Sequence, residues 1–159
     1  MSHGLDEKDY QILTHLQADA RITNIELARR VELSPPGLQK RLRKLEEIGI
    51  IKQYTALINR ELLGFDLLCF AHVTLHRHEQ TAVENFSTTV QNIPEVLECF
   101  QITGEYDYIL KVVVRNRKHL KDFLVETLTP IPGVDRIRTS VVLSDIKATT
   151  AVPVDQVYG

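Results

Sequence analysis

Twice in its second half this chain passes through the same series of residues. A strand-like run is followed by a helix-like run, an Ile-Pro-x-Val turn and another strand-like run. The first copy is Leu68–His76, Thr81–Gln91, Ile93-Pro94-Glu95-Val96 and Val96–Thr103. The second is Tyr108–Arg115, Arg117–Leu128, Ile131-Pro132-Gly133-Val134 and Val134–Leu143. Thr81 with Glu84 fits a capping box, and Asn116 suits the N-cap of the last helix. Two βαβ units in tandem predict a four-stranded antiparallel sheet with both helices on one face, the ferredoxin-like split βαβ.

The other face of that sheet needs a partner. On the first strand Cys69, Ala71, Val73 and Leu75 alternate with Leu68, Phe70, His72 and Thr74. Both sets carry apolar residues, so a bare sheet would expose a large apolar patch. A second subunit is expected to cover it. Cys69 and Cys99 lie in apolar runs and read as buried free thiols.

The first third reads as three helices. Asp6 can cap the first. Thr23 with Glu26 forms a capping box for the second, and Ile22 with Leu27 fits a hydrophobic staple. Glu32-Leu33 leaves room only for a tight turn. Ser34 is a good N-cap for a third helix, Pro35 suits its first position, and Gly49 can end it after Ile48. Short helix, turn and cationic amphipathic helix make a helix-turn-helix.

In the third helix Leu38, Leu42 and Leu45 form a buried stripe, and Gln39, Lys40 and Arg43 point away from it. Gln39 suits adenine and Arg43 suits guanine in a major groove, while Lys40 and Lys44 suit phosphate. Arg41 lies on the flank of the stripe, fit either for phosphate or for an internal ion pair with an acidic residue of the first helix. Thr23, Asn24, Arg30 and Ser34 stand where such motifs hold the DNA backbone, with plain capping the competing role of Thr23. Pro36 is tolerable only because it falls in the first turn. Gly37 costs about 1 kcal/mol against Ala in a helix.

Ile50–Ile58 switches to strand-like residues, and Asn59–Asp66 reads as a connector. The expected organisation is α+β. A winged-type helix-turn-helix domain covers residues 1–50, a strand and linker cover 51–66, and a ferredoxin-like βαββαβ domain covers 67–159.

Charge supports this division. The net charge of −2 hides nine Lys/Arg against four Asp/Glu in residues 21–60, a net of +5 between two acidic segments. One patch that meets a polyanion is expected, not a uniformly basic surface. No apolar run is long enough to span a bilayer, and the start lacks the pattern of a signal peptide. A cytoplasmic protein without a membrane partner is expected.

Four segments resemble the Lrp/AsnC family of transcriptional regulators: Leu5–Leu13, Thr23–Ser34, Arg41–Ile51 and Thr103-Gly104-Glu105-Tyr106-Asp107-Tyr108 continuing to Val112. The resemblance spans nearly the whole chain. Pro36-Gly37 departs from the small hydroxylated or β-branched residues often found there. The resemblance implies a sequence-specific regulator of double-stranded DNA. It also implies homodimers formed through the C-terminal sheets, often assembled as octamers, with an amino acid or related metabolite bound between dimers. The effector residues it points to are Gly104, Glu105, Tyr106, Asp107 and Tyr108, with hydroxyls from Thr139 and Ser140. Gly104 would let a ligand approach the backbone. Asp107 would accept from an α-ammonium or organise the loop.

Other chemistry finds little support. His72 and His76 share a strand face but lie roughly 13 Å apart along it. Only His76 and His78 are close, and no cysteine or carboxylate cluster joins them, so no metal site is expected. There is no Gly-rich phosphate loop and no nucleophile-base set. Neither a cofactor nor an enzyme is expected. The alternative to a ligand-responsive regulator is an architectural DNA-binding protein without a sensed ligand.

Overall fold

The computed structural model describes residues 4–76 and 80–154. The chain divides into two compact units, one reaching Leu57 and resuming at Lys147, the other Ile58–Ile146.

The first unit holds α1 (Glu7–Ala18), α2 (Asn24–Arg30) and α3 (Pro35–Glu47). Each begins on a side-chain cap. Asp6 accepts from the Asp9 N–H, Thr23 from Glu26 and Ser34 from Gly37. These bonds satisfy donors that a helix start otherwise leaves open. Between α2 and α3 the chain reverses at Glu32, whose φ of 54° is left-handed. Ile12, Leu27, Val31, Leu38 and Leu45 meet in a fully buried core. Each such side chain contributes about 1.5–3 kcal/mol relative to exposure.

Two expectations change here. The strand predicted over Ile50–Ile58 does not form, and the backbone there is irregular. A strand needs a neighbouring strand to take its N–H and C=O groups, and no described strand pairs with this segment. Tyr54, Leu57 and Ile58 remain largely exposed. The C-terminal tail, predicted to continue the sheet domain to residue 159, instead joins the first unit from Lys147. Val154 packs against its core. The Gln17 amide donates to the Val152 carbonyl at 3.0 Å and accepts the Val152 N–H at 2.6 Å.

The second unit holds a 3₁₀ turn (Glu61–Leu63), β1 (Leu67–Leu75), α4 (Gln80–Val90), β2 (Val96–Gln101), β3 (Tyr108–Val114), α5 (Arg117–Asp122, running on as a π-helical turn Phe123–Leu128) and β4 (Val134–Val141). The strand order is β2-β3-β1-β4, with every neighbouring pair antiparallel. This is the predicted split βαβ sheet. Cys69, Ala71, Val73 and Leu75 of β1 face the helices, burying against Phe86, Phe123 and their neighbours. α4 starts at Gln80, so Thr81 lies inside the helix and does not cap it. Cys99 is exposed, against expectation, because β2 is an edge strand beyond the helical cover.

The opposite face carries Phe70, His72 and Thr74 of β1, paired with Lys111 and Ile109 of β3 and with Ser140, Arg138 and Arg136 of β4. Phe100, opposite Ile109, is 54% exposed. No described helix covers this face. No helix among the described residues is long and apolar enough to cross a membrane.

Ending the chain after Ile146 removes the Val152 bonds and the Val154 contact. The truncated protein is expected to lose about 1–3 kcal/mol from the first unit. Urea unfolding followed by helical circular dichroism checks this, and an unchanged midpoint would contradict it.

Candidate nucleic-acid interface and effector turn

The cations of α3 fall into two groups. Arg41 points inward, where its Nη1 lies 2.7 Å from both Asp6 carboxylate oxygens and 2.8 Å from Asp9 Oδ1. Lys44 Nζ reaches Asp9 Oδ2 at 3.4 Å and donates to the Gly4 carbonyl at 3.1 Å. Asp9 is the only fully buried charged side chain among the described residues. It also takes the Asp6 N–H at 3.2 Å, closing the capping box of α1. Of the two roles open to Arg41, the structure thus shows the internal ion pair. Lys44, expected on phosphate, is partly engaged the same way.

Gln39, Lys40 and Arg43 form the second group. All three are exposed, and none makes a hydrogen bond or ion pair among the described residues. Pro36 is exposed beside them. A Cβ at Gly37 would meet Ser34 Oγ at 3.0 Å. The glycine leaves room for the cap.

The expected backbone-holding residues show mixed engagement. Thr23 is a cap, accepting from Glu26 at 3.2 Å, and Ser34 accepts from Gly37 at 3.3 Å. Asn24 is exposed at the start of α2. Arg30 pairs with Glu26 at 2.8 Å, alongside Arg29. Hydrogen bonds from Arg29 and then Arg30 pull the Glu26 carboxyl down to about 2. Solvent screens exposed pairs of this kind, so phosphate can displace Glu26 from Arg30. The buried Asp9 holds Arg41 more firmly, because losing the partner would leave its charge stranded.

The 104–107 turn joins β2 to β3. Gly104 takes φ +123°, a conformation that suits glycine. Asp107 organises the turn: its Oδ2 accepts the Leu75 N–H at 2.8 Å, and its own N–H donates to the Val73 carbonyl at 3.0 Å. Glu105 is exposed, with an oxygen 3.6 Å from Arg136 Nη2. Tyr106 turns onto the open sheet face, its ring 5.0 Å from His72, and receives a hydrogen bond from Arg138 at 3.3 Å. The Arg136 guanidinium lies 5.6 Å over the same ring.

Tyr108 departs from the expected set. It is buried against Phe86 on the helical side, 4.7 Å between rings, and cannot face a ligand at the turn. Its side chain alternates with that of Ile109, which lies on the open face. Thr139 and Ser140 point to opposite faces of β4 and pair with Ala71 and Phe70, whereas Tyr108 pairs with Val73. Thr139 is therefore about 7 Å along the strands and roughly 10 Å across them from the start of β3. One chain does not bring these hydroxyls to the turn. Arg136 and Arg138, absent from the sequence reading, do reach it. The signal available was their alternation with Ile137, which puts both on the face of His72.

His76 Nε2 lies 3.1 Å from Asp135, and His78 falls outside the described residues. No group of three metal-ligating side chains occurs among the described residues.

Comparison with known proteins matches these two sites to two domains. Residues 5–52 match a winged helix-turn-helix DNA-binding domain, and residues 68–152 match the Lrp/AsnC ligand binding domain. The chain belongs to the Lrp/AsnC family. Over 143 residues it is 43% identical to the leucine-responsive regulatory protein of Escherichia coli K12, covering 90% of this chain and 87% of that one. Among solved structures, a transcriptional regulator of Neisseria meningitidis in complex with L-Met aligns with TM-score 0.92 and 40% identity, over 96% of this chain and 99% of the other. Escherichia coli AsnC aligns with TM-score 0.84 at 26% identity, over 92% and 97%. The Lrp/AsnC fold thus joins a reader of DNA to a ligand-binding sheet in this chain.

The Arg41 hydrogen bond holds the Asp6 carboxyl below its ordinary value of 3.8. A carboxylate depressed in the folded state adds stability above its unfolded pKa, and this is lost as pH falls through the folded value. Wild type is therefore expected to lose more stability than Asp6→Asn between about pH 5 and about pH 2. Asn keeps the cap but carries no charge. Urea midpoints across that range test the difference, and parallel curves would contradict it.

Proposed function

We propose that the protein is a sequence-specific DNA-binding transcriptional regulator whose binding or assembly responds to an amino acid or a related metabolite. The observation that carries this reading is the sorting of α3. Arg41 and Lys44 hold the helix to α1, and Gln39, Lys40 and Arg43 stand free on one exposed face. A helix so arranged suits a major groove, with Gln39 and Arg43 toward base edges and Lys40 toward phosphate. Thr23, Asn24, Arg30 and Ser34 lie at the flank, suited to the DNA backbone.

A homodimer formed through the open sheet face covers Phe100 and its neighbours, and a symmetric pair presents two readers to a roughly palindromic site. Further assembly, to an octamer of four dimers, is part of the reading. Thr139 and Ser140 lie away from their own chain's turn, so a ligand held by both needs a second copy. The proposed effector set is Gly104, Glu105 and Tyr106, with Asp107 shaping the turn. The L-Met complex of the Neisseria relative supports an amino acid as the ligand class. The role is binding, not catalysis, and the expected location is the cytoplasm.

Titrating a selected duplex tests the reading. Arg43→Ala is expected to weaken binding about 5- to 150-fold and to relax preference at one base pair, the worth of a good bidentate contact. A panel of amino acids is expected to contain at least one that shifts the DNA titration. Unchanged affinity and preference in Arg43→Ala would overturn the groove assignment. A silent panel would overturn the effector.

A further inference from the structure

The leading end of α3 differs chemically from the rest of its exposed face. Pro35 and Pro36 occupy its first two positions, and neither has an N–H. The next donor, the Gly37 N–H, is taken by Ser34 Oγ at 3.3 Å, and the Leu38 N–H by the Ser34 carbonyl at 2.9 Å. A helix start ordinarily offers several N–H groups to a phosphate or a base edge. This one offers none among its first four residues. What its first two residues expose is the hydrocarbon of two proline rings, next to the Ser34 hydroxyl at the N-cap.

Helical geometry places one of those rings among the free polar residues. At 100° per residue Pro36, Gln39, Lys40 and Arg43 fall within a sector about 100° wide, with Pro36 near its middle. Pro35 lies beyond the edge of that sector. Arg41 is turned back to Asp6 and Asp9, and Lys44 is partly engaged by Asp9. Gly37 adds no side chain and cannot gain one without crowding the Ser34 hydroxyl. The free face of the helix therefore runs from an apolar tip to a donor-rich second turn.

Major-groove edges carry donors and acceptors at every base and one apolar group, the C5-methyl of thymine. A hydrocarbon surface without free N–H groups is complementary to that group. Facing cytosine or a purine, it would leave polar edges dehydrated and unpaired. Resting on the reading of α3 as the groove helix, we propose that Pro36 is a specificity-determining residue that reads thymine by contact with its C5-methyl group. Gln39 and Arg43 then read the adjoining base pairs. The selected half-site carries a thymine at a fixed offset from the position that Arg43 reads.

The test removes only the methyl. A duplex is selected from a random pool with the full-length protein, and each thymine is replaced in turn by deoxyuridine. At one or two positions per half-site, the replacement is expected to weaken wild-type binding about three- to fivefold, the worth of one buried methyl-sized group. Pro36→Ser is expected to bind the thymine and uracil duplexes alike, within about twofold, and Pro36→Val to keep the discrimination through its own methyl groups. Indifference of the wild type to every uracil overturns the proposal, as does undiminished discrimination in Pro36→Ser. Arg43→Ala on the same duplex separates the two readings. If Arg43→Ala weakens binding and uracil does nothing, only the role of Pro36 falls. If neither change matters, α3 is not the reader.

Discussion

Asp9 is buried, and three groups converge on it, two from α3 and one from the start of α1: the Arg41 guanidinium, the Lys44 ammonium and the backbone N–H of Asp6. Burying a carboxylate is unfavourable unless it is paired and hydrogen-bonded, and here it is both. The arrangement has a consequence beyond stability. It fixes the rotation of α3 about its own axis, because the helix can satisfy Asp9 only with Arg41 and Lys44 turned toward α1. The leucine stripe sets the same rotation by hydrophobic burial, and the ion pair agrees with it. With Arg41 turned inward and Lys44 partly engaged by Asp9, the unpaired face of the helix consists of Pro36, Gln39, Lys40 and Arg43. The cations of α3 are thus divided between those paired with α1 and those left exposed.

The sheet unit follows a similar economy. One face is closed by α4, α5 and the π-helical turn, and the other is left with Phe70, His72, Ile109 and Phe100 among arginines. The β2–β3 turn lies at the end of that open face. Asp107 bonds it to the last residue of β1, and Tyr106 lies across His72 between Arg136 and Arg138. A ligand at the turn and a subunit on the face would therefore share Tyr106 and the arginines around it. Shared contacts of this kind give effector binding and assembly a physical means of coupling.

Much of this was legible in the residues themselves. Caps at Asp6, Thr23 and Ser34 and the leucine period of α3 mark the three helices, since these are local signals with local causes. The duplicated strand–helix–turn–strand series marks the sheet, because so few topologies accommodate it. The partner of Arg41 was legible only as one of two alternatives, as its choice depends on how closely α1 and α3 approach. Tyr108 is misplaced in the sequence reading because a hallmark run of residues does not reveal where the turn ends: Tyr106 is still in the turn and lies on the open face, whereas Tyr108 opens β3 and points to the helices. The strand at Ile50–Ile58 and the return of the tail depend on neighbours that no local pattern names. The same holds for Arg136 and Arg138, which gain a role only once β4 is laid beside β1.

The division of α3 is most directly tested by the salt dependence of DNA binding in single alanine variants, with stability measured in parallel. Each lost phosphate contact lowers the salt slope by about one, whereas a lost internal ion pair leaves the slope alone and lowers stability. Lys40→Ala is predicted to reduce the slope with the unfolding midpoint unchanged, and Arg41→Ala to keep the slope and lower the midpoint. A reduced slope in Arg41→Ala at unchanged stability would contradict the account.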